Sequence, residues 1–181
     1  MSIAVLGAGA LGSVIGARMA QAGREVTLLT TNTGHLDAIQ TGGLILETPE
    51  GRQTIRIDAC RPEELAETPD LFLLLTKTKD IETALSEVQS HVARGARVAT
   101  LQNGLGNAER VAALVPADQV LYGTTMTNGR RIAPGHVATQ GPGTAQFTGL
   151  TEAGRTFARQ VALEVEGFRL EFDPDSDKAV W

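Results

Sequence analysis

Gly7-Ala8-Gly9-Ala10-Leu11-Gly12 spells G-x-G-x-x-G close to the amino terminus. In a strand-to-helix turn each glycine meets a separate steric demand. The first permits the tight turn, the second lets backbone approach a pyrophosphate, and the third lets the helix pack close on the strand. The helix amino end then offers unpaired N–H groups and a positive dipole to the phosphates. A glycine turn with no ligand spells the same six residues, so placement decides between the two readings. Thr30, Thr31, Asn32 and Thr33 follow at the distance where an acid would hold a ribose 2′-hydroxyl or an arginine a 2′-phosphate. These four are uncharged donors, and the missing acid removes the charge that would repel a phosphate. That favours NADP over NAD. Lys77 and Lys79, two of only three lysines against thirteen arginines, share the tetrapeptide Thr76-Lys77-Thr78-Lys79. A cation there could hold a substrate carboxylate, or both could be surface charges beside a helix. Asn103-Gly104 ends the next expected strand, so its amide and Lys77 could face one crevice, unless the pair is a hairpin turn.

The elements that must position these groups are legible in the hydrophobic pattern. Ser2 to Leu6 reads as a strand, Ala10 to Ala22 as a helix stopped by Gly23, and Glu25 to Thr30 as a second strand with Thr31 to Gly34 as the loop beyond it. Gly43 to Glu47 and Gln53 to Ile57 flank the turn residues Pro49-Glu50-Gly51, which predicts an antiparallel hairpin. The alternation then resumes with a fully apolar strand, Leu71 to Thr76. A helix over Asp80 to Val92, a strand over Arg97 to Leu101, a helix from Asn107 to Leu114 and a strand from Gln119 to Met126 follow. Apolar strands alternating with helices predict an α/β fold, a Rossmann-like doubly wound and mostly parallel sheet. His136 to Gln140 and Thr144 to Thr148 read as antiparallel additions. Ala153 to Glu166 has helical period with Phe157, Val161 and Val165 inward, and Phe168 to Phe172 is a last strand. Asp173-Pro174-Asp175 with Asp177 resembles a helix start. Residues 1–172 are thus expected to form an NAD(P)-binding domain, and 173–181 to begin a helix that runs on into a further one.

Composition narrows the function class. With 181 residues, 42% of them apolar, the chain can bury a core without staples. The formal charge of −5 argues against a nucleic-acid partner, which demands a surplus of Lys and Arg. Cys60 is the single cysteine, so no internal disulfide is available, and a reducing, cytoplasmic setting is expected. No signal peptide is expected, since no positive charge precedes the first apolar run. No membrane span is expected, since Leu71 to Leu75 is far too short. His35, His91 and His136 lack acidic or thiol partners at ligand spacing, so no metal is assigned.

At the level of whole motifs the chain resembles the ketopantoate reductases (2-dehydropantoate 2-reductases). Ile3-Ala4-Val5-Leu6 running into the glycine turn, Lys77 after its strand, Gln102-Asn103-Gly104-Leu105-Gly106 and Gly123-Thr124-Thr125 are similar to that family's motifs, in its order. Gly135-His136-Val137 and Gly141-Pro142-Gly143 match as well. The resemblance implies reduction of ketopantoate to pantoate with NADPH, on the route to pantothenate and coenzyme A. It implies that Gly7, Ala8, Gly9, Ala10, Leu11 and Gly12 lie at the pyrophosphate. Thr31 and Asn32 would then stand at the adenosine ribose, and Lys77 and Asn103 would line the cofactor and substrate crevice. Two departures stand out. Thr31 occupies a place where the family often has an arginine for the 2′-phosphate. The family's proton-donating lysine is expected two residues after a tryptophan resembling Trp181, in a helical second domain absent here, and Lys178 would point about 140° away from that position on the same helix. The resemblance therefore leaves open a small-molecule 2-oxo acid reductase half, a dinucleotide sensor or half-enzyme with a separate helical partner or a homodimer, and a reductase of another 2-oxo or hydroxy acid.

Overall fold

The computed structural model describes residues 1–102, 106–141, 143–164 and 169–174. The chain opens with β1 (Ser2–Leu6), α1 (Ala10–Gln21), β2 (Glu25–Leu29) and α2 (Thr33–Gly42), and then adds three short strands, β3 (Leu44–Thr48), β4 (Gly51–Ile55) and β5 (Asp58–Cys60). The α/β alternation returns with β6 (Leu71–Leu74), α3 (Ile81–Glu87), α4 (Gln89–Ala93), β7 (Arg97–Thr100), α5 (Asn107–Ala112) and β8 (Val120–Thr125). It ends with β9 (Arg130–Ala133), β10 (His136–Ala138), β11 (Thr144–Gly149), α6 (Glu152–Glu164) and β12 (Arg169–Phe172).

Eight strands form the main sheet in the order β12-β11-β8-β7-β6-β1-β2-β5. Every neighbouring pair is parallel except β8 and β11, which run antiparallel. The chain leaves β1 for β2 on one side and returns to β6 on the other, so the strand order reverses beside β1. A crevice opens outside the carboxyl ends of the strands at such a switch point. The core lies on both faces of the sheet. Ile3, Val5, Leu71 and Leu73 belong to one apolar cluster, and Ala4, Leu6, Phe72 and Leu74 to the other. This two-sided burial explains why β1 and β6 read as continuous apolar runs rather than alternating ones. The architecture is the Rossmann-like, doubly wound and mostly parallel sheet that the alternation predicted. Among the described residues no helix is long and apolar enough to cross a membrane.

Several boundaries differ from the sequence reading, each for a local reason. The loop expected over Thr31 to Gly34 is already helical at Thr33, because the Asn32 side chain accepts the His35 N–H at 2.9 Å and caps α2. The single helix expected over Asp80 to Val92 is instead a 3₁₀ turn followed by α3 and α4. It breaks at Val88, whose dihedrals leave the helical region and whose N–H bonds Leu85 three residues back. The run at His136 joins a second, four-stranded sheet in the order β4-β3-β10-β9, pairing parallel with β3 and antiparallel with β9. Only the run at Thr144 is an antiparallel addition to the main sheet. Strands β5 and β9 were not anticipated, since one has three residues and the other is exposed throughout with no alternation to read. Asn103 and Gly104, residues 165–168, and the expected helix start from Asp175 to Trp181 lie outside the described residues.

One buried histidine ties the second sheet to the glycine turn. The Gly135 N–H donates to His35 Nδ1 at 2.9 Å across 100 positions of sequence. The proton of the neutral ring therefore sits on Nε2, which donates to Ser13 Oγ at 3.0 Å, and Ser13 passes a hydrogen bond to the Ala8 carbonyl at 3.3 Å. Burial, and next the positive charge of Arg131, hold His35 below its ordinary value of about 6.5. A histidine depressed in the folded state stabilises the fold above its unfolded pKa, and that contribution is lost as pH falls towards the folded value. Replacing His35 by leucine would orphan the Gly135 N–H. Urea titrations at pH 7.5 are expected to show His35→Leu about 1–3 kcal/mol less stable than the unmodified chain. The gap should narrow as pH falls below about 6.5, and a gap independent of pH would contradict the lowered pKa that keeps the buried ring neutral.

Candidate functional site

The site begins at the end of β1. Gly7 has φ +97°, and a Cβ there would lie 2.6 Å from the Thr76 backbone nitrogen. The turn therefore requires a residue with no side chain, both for its conformation and for the closeness of the β6 end. The Gly7 and Ala8 N–H groups both donate to the Leu29 carbonyl, at 3.2 and 2.8 Å, which fixes the turn against β2. Gly12 packs behind it, where a Cβ would be 2.5 Å from the Gly7 carbonyl oxygen. Gly9 is different. A Cβ at Gly9 would meet nothing within 4 Å, because this residue faces open space at the mouth of the turn.

Gly9 is also the N-cap of α1. It has no side chain to cap the helix, and the first turn carries no acid. The N–H groups of Ala10, Leu11 and Gly12 consequently have no intrahelical acceptor, and the positive end of the helix dipole is uncompensated. The open face at Gly9, the helix-end N–H groups without intrahelical acceptors and the uncompensated dipole fit the pyrophosphate of a dinucleotide.

The ends of the neighbouring strands are tied to the same turn. Gln102, immediately before Asn103, donates through Nε2 to the Thr76 carbonyl and to Thr76 Oγ1, and it receives a hydrogen bond from Thr100 Oγ1 at 3.2 Å. The segment after β7 is thereby joined to the segment after β6, whose Thr76 lies against Gly7. Asn103 itself is outside the described residues.

A cleft of about 600 Å³ runs along these strand ends. Of the residues singled out from sequence, it gathers Gly7, Ala8, Gly9, Ala10 and Leu11 from the turn, Thr30, Thr31 and Asn32 at the end of β2, and Lys77 and Lys79 beyond β6. Gly12 supports this wall from behind. Lys77 and Lys79 are both exposed, and Lys79 lies 3.8 Å from Asp80. Thr83, Ala84 and Glu87 of α3 form a further wall. The Glu87 carboxyl is pushed above the usual carboxylate range by burial and by the charge of Glu63. The sequence reading missed Arg131 of β9, which lines the same cleft as Thr31 and Asn32. No linear signal points to it, since it arrives from the second sheet. Cys60 stands on β5, half-buried, and burial together with the carboxylates of Glu64, Asp58 and Glu63 raises its thiol, which makes it a poor nucleophile.

Two glycine variants separate folding from occupancy. Gly9→Val adds a side chain only to open space and should keep the melting temperature within about 2 °C, because surface changes cost within about 0.5 kcal/mol. It should abolish saturable dinucleotide binding in a fluorescence titration. Gly7→Ala should instead lower the melting temperature by several degrees, because a Cβ there collides with backbone. Undiminished binding in Gly9→Val would mean that the glycine loop is only a turn.

Comparison with known proteins agrees with this arrangement. Residues 3–151 match the sequence model of the family described as ketopantoate reductase PanE/ApbA. A 2-dehydropantoate 2-reductase of Halobacterium salinarum is 35% identical over 186 aligned positions, covering all of this chain and 60% of the relative. The chain thus spans about three fifths of the length of the curated relatives it matches. Among solved structures, a PanE/ApbA family ketopantoate reductase from Ralstonia eutropha JMP134 superposes with a TM-score of 0.86 at 30% identity, over all of this chain and 59% of that one. A D-mandelate dehydrogenase, solved with NADH and anilino(oxo)acetate, superposes with a TM-score of 0.92 at 27% identity, over 99% of this chain and 59% of that one. Matched over most of its length in sequence and over nearly all of it in fold, the chain belongs to the ketopantoate reductase PanE/ApbA family.

Proposed function

We propose that this chain is the cofactor-binding half of an NADPH-dependent reductase of ketopantoate, with residues 1–172 as the dinucleotide domain and 173–181 leading into a helix of a second domain. The observation that carries the reading is the open face of Gly9 at an uncapped helix end, inside a cleft that also gathers Thr31, Asn32 and Lys77. When bound, the nicotinamide would supply a hydride to the carbonyl carbon of a 2-oxo acid. The chain's own residues would orient that reaction. The Ala10, Leu11 and Gly12 N–H groups hold the pyrophosphate, and Thr31 with the Asn32 amide reaches the adenosine ribose. Lys77, exposed at the β6 end, offers a cation to the substrate carboxylate or the nicotinamide ribose, and Asn103 is assigned an amide contact to substrate or nicotinamide from the family resemblance. The proton for the carbonyl oxygen is assigned to a lysine in the further portion that the longer relatives carry.

A second reading keeps the cleft and changes its occupants. The likeness to a D-mandelate dehydrogenase solved with NADH, together with the uncharged Thr31, suits an NAD-dependent reductase of a different 2-oxo acid. Fluorescence titration with NADPH and with NADH separates the two. The first reading predicts saturable binding of both, about tenfold or more tighter for NADPH because of the added charge-assisted contacts. It also predicts that ketopantoate perturbs the bound NADPH signal where an aryl 2-oxo acid does not. Tighter binding of NADH would favour the second reading, and binding of neither would withdraw both.

A further inference from the structure

We propose that Arg131, delivered by the second sheet, is the cation that selects a 2′-phosphorylated dinucleotide in this chain. The inference rests on the cofactor reading above and names a residue for its least specified part. At the β2 end Thr31 carries no charge, and the Asn32 side-chain oxygen, Oδ1, accepts the His35 N–H. A phosphate on the adenosine ribose would meet only neutral donors from that loop. Arg131 changes this balance, because it lines the same cleft as Thr31 and Asn32, its charge reaches His35 in the first turn of α2 and, among the described residues, it forms no salt bridge.

The position of Arg131 is fixed from both ends of its hairpin. Before it, Gly129 packs so closely on the first turn of α1 that a Cβ would lie 2.8 Å from the Ala10 carbonyl oxygen and 2.9 Å from the Leu11 Cα. After it, Gly135 packs on α2, where a Cβ would lie 2.8 Å from that of Ala38, and its N–H is held by His35 Nδ1. Strand β9 therefore passes between the amino end of α1 and the first turn of α2, the interval that separates pyrophosphate from adenosine ribose in a site of this class. His35, in that first turn of α2, registers the Arg131 charge.

The other charged groups nearby do not take this role. Arg61 donates to Thr33 Oγ1 at 2.8 Å and does not line the cleft, and His35 is held neutral by the Gly135 N–H. The acids of the cleft, Asp80 and Glu87, come from the 3₁₀ turn and α3, not from the β2 end. An unpaired guanidinium offers a fork of donors that matches a phosphate.

The test is the Arg131→Gln variant of the 181-residue chain, with Arg131→Lys beside it. Dissociation constants are measured for NADPH and NADH, and for 2′,5′-ADP and 5′-AMP, which carry the adenosine end with and without the 2′-phosphate. Position 131 is exposed on β9, and circular dichroism with a melting curve confirms that both variants fold. The expected result is a loss of about ten- to a hundredfold for NADPH and 2′,5′-ADP, with NADH and 5′-AMP within about twofold of the unmodified chain. Arg131→Lys should recover part of that loss. An equal loss for NADPH and NADH would place Arg131 on the pyrophosphate and overturn the proposal, as would no loss for any ligand. If the unmodified chain binds neither dinucleotide, the cofactor reading fails first and this inference falls with it. If it prefers NADPH and Arg131→Gln still does, only the inference fails.

Discussion

A side chain at position 7 would have no place to go. The β1 end turns there with φ +97°, and the Thr76 backbone occupies the space a Cβ would need. That close approach lets three strand ends share one rim. The Leu29 carbonyl accepts two N–H groups of the turn, the Thr76 backbone closes over it, and Gln102 joins the β7 end through Thr76. Any Cβ at Gly7 would push β6 away from β1 and separate Lys77 from the glycine loop. The cleft is therefore a consequence of backbone packing first and of side-chain chemistry second.

The second sheet completes the rim instead of merely decorating it. His35 receives the Gly135 N–H on one side and reaches Ser13 and Ala8 on the other, so the β9–β10 hairpin is hydrogen-bonded through a neutral imidazole to the turn that faces the cleft. The polar contacts of this relay are buried, where an unpaired donor would cost more than the bond contributes. Its consequence is positional, because the same hairpin that secures the relay carries Arg131 to the β2 end.

Much of this was legible in the sequence wherever a residue type answers a local demand. Strand β1 was readable to the residue because both of its faces are buried, and the glycine spacing marked the turn before any packing was known. Lys77 was flagged by the scarcity of lysine and by the apolar strand preceding it. The edges were less readable. The Asn32 cap looked like loop chemistry until His35 supplied the donor, and Val88 broke a helix whose apolar face still ran on helical period. Arg131 could not be found from spacing at all. Its place in the same cleft as Thr31 exists only once Gly129 and Gly135 are packed on α1 and α2, and nothing in the linear order of β9 announces it.

A dinucleotide is expected to lie along the rim at the switch point. A second cleft, of about 590 Å³, lies near the opposite end of β2 and carries Arg24, Arg56, Glu25 and Asp58. The most direct measurement is an amide-resolved NMR titration with NADPH. The largest shifts are expected on the Gly9 to Gly12 amides, on Thr31 and Asn32, and on Lys77. Shifts centred on Arg24, Val26 and Ile57 instead, with the glycine turn unmoved, would contradict that placement.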